Sequence, residues 1–349
     1  MSCRQRSRRV VSMEGSINNP TSADVARLAG VSRATVSYVL NGRSDERVRP
    51  QTRDRVLAAV RELGYAPNAT ARTLRTGRSN TVLMPTIQLP GSPPLDTFIE
   101  QLAFALAEQD LCLLMHGGRR HTGLEAAQEW AALRPVAVIA NPHQCPPESV
   151  EFLQRAGVRA VVLLGAQASE AGSAIALPVD HSAVARTAAE YLIDRGCRRL
   201  ACLVPTGALA VLGIPRLEAV SLVANPAGIP VERVDCDLTE QSITPTVNRW
   251  RTDPASRPDG IYAYNDEHAL LLIEALREAG LRTPDDIAVV GSGNFPMGRI
   301  LRPRLTTTYV PAERHATAIA TTIANALNGA TGTTVPAPPP PELIVRESA

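Results

Sequence analysis

From Asn80 onward, short apolar runs alternate with amphipathic segments of helical period, and that alternation restricts most of this chain to one fold class. The runs Thr81–Met84, Leu111–Met115, Ala137–Ala140, Ala160–Leu164, Arg199–Val204, Ile261–Tyr264 and Ala288–Gly291 have strand length. Between them, Leu95–Glu108, Leu124–Ala132, Glu148–Ala156, His181–Arg195, Arg216–Ala224, Asp266–Ala279 and Ala312–Asn328 read as helices. Strands alternating with amphipathic helices imply parallel sheets covered on both faces. A body running from 80 to 330 is large for one such sheet, which implies two α/β lobes. Residues 331–349 form a Pro-rich C-terminal segment with one strand-like stretch, Leu343–Val345, and no leucine heptad that would make a tetramerisation helix.

The first eighty residues follow a different rule. Thr21 is a good N-cap for a helix over Ser22–Ala29, with Val25, Leu28 and Ala29 as its inward stripe. Gly30 tolerates the left-handed conformation of a tight turn. Ser32 then caps a second helix, Arg33–Leu40, with Val36, Val39 and Leu40 inward, and Asn41-Gly42 closes it. Pro50 fits a first helical position, ahead of a third helix over Gln51–Leu63 that Gly64 ends. Helix, glycine turn and short second helix form a helix-turn-helix unit over 20–66. The outer side of the second helix offers Ser32, Arg33, Ala34, Thr35, Ser37 and Tyr38. An arginine there can fork onto guanine, an alanine can touch a thymine methyl, and hydroxyls can meet phosphate or base.

Charge follows the same division. Residues 1–80 carry 15 arginines against six acidic residues, and the remainder 21 against 28. A basic head on an acidic body implies a polyanionic partner for the head alone. All 36 basic residues are arginine, which reads as a coding bias. Residues 1–19 are read as a disordered basic tail, with no apolar stretch behind their arginines of the kind an export signal needs. No apolar run approaches the ~20 residues of a membrane span. The expected location is the cytoplasm, where the six scattered cysteines would be reduced structural thiols.

The run Thr21-Ser-Ala-Asp-Val-Ala-Arg-Leu-Ala-Gly-Val-Ser-Arg-Ala-Thr-Val-Ser-Tyr-Val-Leu-Asn-Gly42, then Arg53–Val56, then Leu63-Gly-Tyr-Ala-Pro-Asn68, closely resembles the headpiece of the lactose-repressor (LacI/GalR) family. The resemblance implies base reading by Arg33, Ala34 and Tyr38, and backbone contacts from Ser32, Thr35, Ser37 and Asn41. Thr21 and Asn68 complete the DNA contacts of the headpiece. Members of the family usually carry Arg where Tyr38 stands, so the operator does not transfer. Residues 67–79 are then a hinge. Its Asn68–Arg75 segment spans about two turns, too short to be a stable helix alone, and is expected to fold on DNA. The resemblance puts Leu74 at a minor-groove wedge and Ala71 against the partner hinge, while Arg72 fits a phosphate contact.

The resemblance continues through Val179-Asp180, Asn265-Asp266, Pro284–Gly291, Leu305-Thr-Thr-Thr and Glu342–Ser348. It implies a periplasmic-binding-protein-like core, with a first lobe of about 81–176 plus 309–330, a second of about 177–308, and an effector cleft between them. It assigns effector contacts to Arg216 and Asp266. Read from the residues alone, Arg216 is equally a surface ion pair and Asp266 a helix N-cap. Three departures stand out. Ser292-Gly293-Asn294 follows Gly291 where the family has one or two aspartates, Gly91-Ser-Pro-Pro-Leu-Asp96 replaces the usual start of the first-lobe helix, and aromatic residues make up only 3% of the chain.

Gly291-Ser-Gly293-Asn-Phe-Pro296 begins like a dinucleotide loop, but Pro296 occupies the third glycine position. No G-x-S-x-G, H-E-x-x-H or P-loop occurs, and the six histidines are isolated. The expectation is therefore a non-enzymatic, cofactor-free transcriptional regulator, with repression as the family default. Its expected partners are double-stranded operator DNA, a second copy of itself and a small-molecule effector, with carbohydrates as the leading class. The rival expectation is a DNA-binding regulator whose cleft has lost effector sensing.

Overall fold

The computed structural model describes residues 20–40, 48–66, 79–86, 93–117, 122–167, 169, 171–330 and 335–349. Two compact units divide the chain at 79/80.

The N-terminal unit contains α1 (Ser22–Ala29), α2 (Arg33–Leu40) and α3 (Pro50–Leu63). Thr21 caps α1 through a capping box. Its hydroxyl accepts from the Asp24 amide at 3.4 Å, and the Asp24 carboxylate accepts from the Thr21 amide at 2.9 Å. Gly30 takes φ 64°, which leaves the α1–α2 turn without a Cβ penalty. Ser32 Oγ accepts from the Thr35 amide at 3.1 Å and so serves the first turn of α2. Val25, Ala26, Ala29, Val36, Val39, Val56 and Ala59 make the small core. Leu28 was expected in that core and instead remains 46% exposed. In so short a helix Val25, Ala26 and Ala29 already fill the side facing α2 and α3, and Leu28 lies beyond its edge.

The second unit holds two sheets. The first contains β1 (Thr81–Pro85), β2 (Cys112–His116), β3 (Ala137–Ala140), β4 (Ala160–Leu164) and β5 (Ile175–Leu177), all parallel, in the order β2-β1-β3-β4-β5. One face packs against α4 (Pro93–Ala107) and α12 (Ala312–Leu327), the other against α5 (Gly123–Ala132) and α6 (Pro147–Arg155). Within β1 the strand alternation sends Val82 and Met84 to one core and Leu83 to the other.

The second sheet contains β6 (Leu200–Pro205), β7 (Val231–Cys236), β8 (Gly260–Ala263), β9 (Ala288–Ser292), β10 (Thr306–Tyr309) and β11 (Glu342–Ile344), in the order β11-β10-β9-β8-β6-β7. The helices α7 (Ala183–Asp194) and α8 (Ala210–Ala224) cover one face. The other is covered by α9 (Glu240–Thr252) and α10 (Asp266–Glu278). A short α11 (Met297–Ile300) follows β9.

The chain passes between lobes three times: after β5, after β10 and again before β11. The last passage places residues beyond 330 in the second sheet. Strand β11 runs antiparallel to β10, with Thr308 opposite Leu343, and Ser348 is fully buried between Val289 and Thr306. The stretch set apart in the sequence as a Pro-rich tail thus supplies an edge strand. The strands β5, β7 and β10 and the helix α9 were not marked in the sequence. Val231–Cys236 carries three charged residues among its six, Thr306–Tyr309 is hydroxyl-rich, and Pro245 interrupts the period of α9.

Candidate functional site

Two sites were expected, one in each unit. On α2, burial of Val36 and Val39 against α1 and α3 turns the opposite side outward. Ser32, Arg33, Ala34 and Tyr38 are exposed there, with Thr35 and Ser37 half-buried beside them. Thr21 is exposed, although its hydroxyl serves the capping box. Arg33, Ala34 and Tyr38 therefore share one accessible helical face, the arrangement a groove-reading helix needs. Asn41, Asn68, Ala71, Arg72 and Leu74 lie outside the described residues.

The two residues expected to contact an effector lie at the carboxyl ends of the second sheet. Chain order reverses there between β6, which continues outward to β7, and β8 on its other side. Open parallel sheets bind ligands in the crevice outside such a switch point. Arg216 reaches this position from α8. Its Nε donates to the His181 carbonyl at 3.0 Å, and its Nη1 donates to the Tyr262 hydroxyl at 3.4 Å and to the Tyr264 carbonyl. The guanidinium also lies over the Tyr264 ring, 4.5 Å from its centroid. The ion pair open to it in the sequence is not formed. Among the described residues no carboxylate lies within salt-bridge distance of Arg216, and neutral oxygens hold it instead.

Asp266 occupies the first turn of α10, but the cap of that helix is Asn265. Asn265 Oδ1 accepts from the His268 amide at 2.9 Å, so the capping role read for Asp266 belongs to its neighbour. Asp266 is fully buried. One carboxylate oxygen accepts from Thr307 Oγ1 and the other from the Phe295 amide, both at 2.6 Å. Burial pushes its pKa from 3.8 up to about 6, against the lowering effect of those two hydrogen bonds and of nearby Arg346. Each oxygen accepts one hydrogen bond inside the lobe, so Asp266 holds the β9–α11 loop.

That loop contains the departure seen in the sequence. Gly291 is required beside Asp266, since a Cβ there would fall 2.4 Å from Asp266 Oδ1. Gly293 has φ 120°, and a Cβ on it would fall 2.3 Å from the Phe295 ring and 3.1 Å from Pro94 of α4. The loop after β9 therefore meets the first lobe's helix after β1, so the carboxyl ends of the two sheets face each other. Arg346, beyond β11, donates to Asn294 Oδ1 at 2.7 Å and ties the C-terminal segment to the loop.

Residues not marked in the sequence complete the surroundings. Tyr262 and Tyr264 frame Arg216, and burial pushes the Tyr262 hydroxyl to about 12. His268 packs edge-on to Tyr264 at 5.5 Å, and burial, reinforced by Arg216, brings it down to about 4. His181 is also lowered, by burial first and then by Arg216. Aromatic scarcity over the whole chain concealed this local cluster, because Tyr262 and Tyr264 read simply as strand residues.

Residues 21–68 match the family model of bacterial regulatory proteins, lacI family, and residues 189–349 match that of a periplasmic binding protein-like domain. The HTH-type transcriptional repressor PurR of Vibrio atlanticus (strain LGP32) is 30% identical over 308 residues, covering 84% of this chain and 88% of that protein. This chain belongs to the LacI family. It is accordingly a DNA-binding transcriptional regulator, with a helix-turn-helix headpiece and a two-lobed periplasmic-binding-protein-like core. The HTH-type transcriptional regulator CelR of Thermobifida fusca is 29% identical over 94% of this LacI-family chain and 98% of its own length. A solved CelR–cellobiose complex superposes with TM-score 0.61 at 28% identity, covering 95% of this chain and all of that one. The lac repressor dimer bound to operator and an anti-inducer gives TM-score 0.72 at 24% identity, over 94% and 98% of the two chains, a likeness of fold. Among the described residues, no helix of this LacI-family member is long and apolar enough to cross a membrane.

Proposed function

We propose that this regulator represses transcription as a dimer on a pseudopalindromic operator and is released or engaged by a small molecule held between its lobes. The observation that carries the proposal is the exposed face of α2, where Arg33, Ala34 and Tyr38 stand together on the second helix of a helix-turn-helix. In this reading those three meet base edges. Ser32, Thr35, Ser37, Asn41, Thr21 and Asn68 meet the backbone. Ala71, Arg72 and Leu74 act in a hinge at the operator centre, with Leu74 as the wedge. Arginines of the headpiece supply salt-dependent affinity.

In the core, Arg216 contacts the effector, while Asp266 acts by fixing the loop that carries Gly293 and Phe295. The CelR–cellobiose complex and a LacI-family structure with bound ribose support a polar ligand of carbohydrate size. The switch requires the ligand to bind the two lobe arrangements with different affinity. The test is selection of operators from a random DNA pool, followed by a mobility-shift series over salt. A palindromic consensus bound by the dimer, and altered at one position per half-site by Arg33→Ala, is the expected result. Selection of no consensus by the full-length protein would reject the proposal.

A further inference from the structure

Surface arginines of the second lobe supply several ion pairs. On its surface Arg186 pairs with Asp180 at 2.7 Å, Arg233 with Asp235 at 2.8 Å, Arg277 with Glu274 at 2.6 Å and Arg304 with Glu347 at 2.8 Å. Pairing matters least at such exposed positions, where water already screens the charge. Arg216, half-buried at the switch point, has no such partner among the described residues. Its Nε and Nη1 are spent on two carbonyls and a phenol, which leaves the two N–H groups of Nη2 unassigned. Tyr264 beneath the guanidinium fixes the plane of the fork.

Several acceptors at the same end already carry hydrogen bonds. Asp266 has both oxygens bonded within the lobe, Asn294 Oδ1 is taken by Arg346, and Asp180 by Arg186 and Ser182. Glu267 is exposed on the first turn of α10 and accepts from Asn265 at 3.3 Å. The segment after Gly291 contributes Ser292, Gly293 and Asn294, none of them a carboxylate. A neutral polyol presents hydroxyls that need acceptors as well as donors. Arg216 offers a fixed cation with no carboxylate in ion-pair distance among the described residues, and a half-buried charge gains most from a ligand of opposite sign.

We infer that the ligand read by Arg216 carries an oxyanion, so that the effector is an acidic or phosphorylated small polar molecule such as a sugar acid or sugar phosphate. The inference rests on the proposed effector role of the inter-lobe site. The fork of Nη2 takes one oxygen of the anion, and the Tyr264 ring keeps the guanidinium in place.

Inorganic phosphate is the first probe. It is titrated into the full-length protein at constant ionic strength while the imidazole C2–H resonances of His181 and His268 are followed by NMR and assigned by single His→Asn variants. A saturable shift of His181 that is abolished in Arg216→Gln and weakened in Arg216→Lys is the expected result. Absence of a saturable shift in the wild-type protein with phosphate and with both organic anions of the second set overturns the inference, whether or not the glutamine variant folds. So does a shift that survives in a folded Arg216→Gln. Glucose, gluconate and glucose 6-phosphate form the second set. Stronger binding of gluconate or of glucose 6-phosphate supports the inference and tells carboxylate from phosphate. A shift with glucose but none with the anions overturns it and leaves the effector reading standing. Silence with every probe removes both.

Discussion

Replacing Asp266 by Asn tests how the second lobe holds its loop, because the carboxylate is buried, doubly bonded and shifted toward neutrality. Its pKa is carried from 3.8 to about 6 by burial, so in the folded protein it binds its proton more tightly than in the unfolded chain. The folded state gains from this group below 3.8, and that gain is lost as pH rises through about 6. At one tenfold change per 1.36 kcal/mol, the loss between pH 4 and pH 7 is about 2–3 kcal/mol. An amide at 266 does not ionise and lacks this dependence. It can still accept from the Phe295 amide with its oxygen, while its NH2 donates to the Thr307 hydroxyl. The stability of Asp266→Asn relative to wild type should therefore rise by about 2–3 kcal/mol from pH 4 to pH 7. Urea denaturation at a series of pH values measures it, with fluorescence of Trp250, fully buried in the same lobe. A Trp130→Phe background removes the signal of the other lobe. Asp266→Ala strands a buried amide and should cost about 2–4 kcal/mol near pH 4. A wild-type-minus-Asn difference that stays flat across this range would refute the claim that burial dominates at Asp266.

Thr21→Ala removes the hydroxyl of the capping box and should lower the headpiece stability by about 1 kcal/mol, read by thermal unfolding followed by circular dichroism. Gly291→Ala places a Cβ 2.4 Å from Asp266 Oδ1 and 2.9 Å from Leu305 Cδ2, and should cost about 1–3 kcal/mol in the urea transition of the core. Arg33→Ala should cost about 1–3 kcal/mol on the selected operator and relax preference at one base per half-site, whereas an equal loss on all sequences would make it a phosphate contact. Leu74→Ala should weaken operator binding in a mobility-shift assay without altering the folding of the core, and undiminished affinity would count against a wedge.

The headpiece was legible because its signals are local. A cap at Thr21, a glycine at the turn and apolar spacing along α2 each act within a few residues, and they suffice to orient the reading face. The sheets of the core were legible where strands are buried on both faces, as in Ala137–Ala140 and Ala160–Leu164, whose unbroken apolar runs have no other use. Strand β7, with its half-exposed alternation, and β10, built from buried threonines, escaped notice. Their burial depends on neighbours far away in sequence. The Thr306 hydroxyl, for instance, donates to the carbonyl of Ala349.

The sequence by itself determined the modules, their order and the face of α2 turned toward a partner, because helix caps and periodicity are short-range properties of the chain. Tertiary structure alone decided the chemistry of the inter-lobe end. That Asp266 braces a loop, and that Arg216 is held by neutral oxygens rather than by a carboxylate, depends on groups between 29 and 48 positions distant in sequence. Charge and hydrogen-bonding capacity are settled by what surrounds a side chain in space, and only the folded sheet brings those surroundings together.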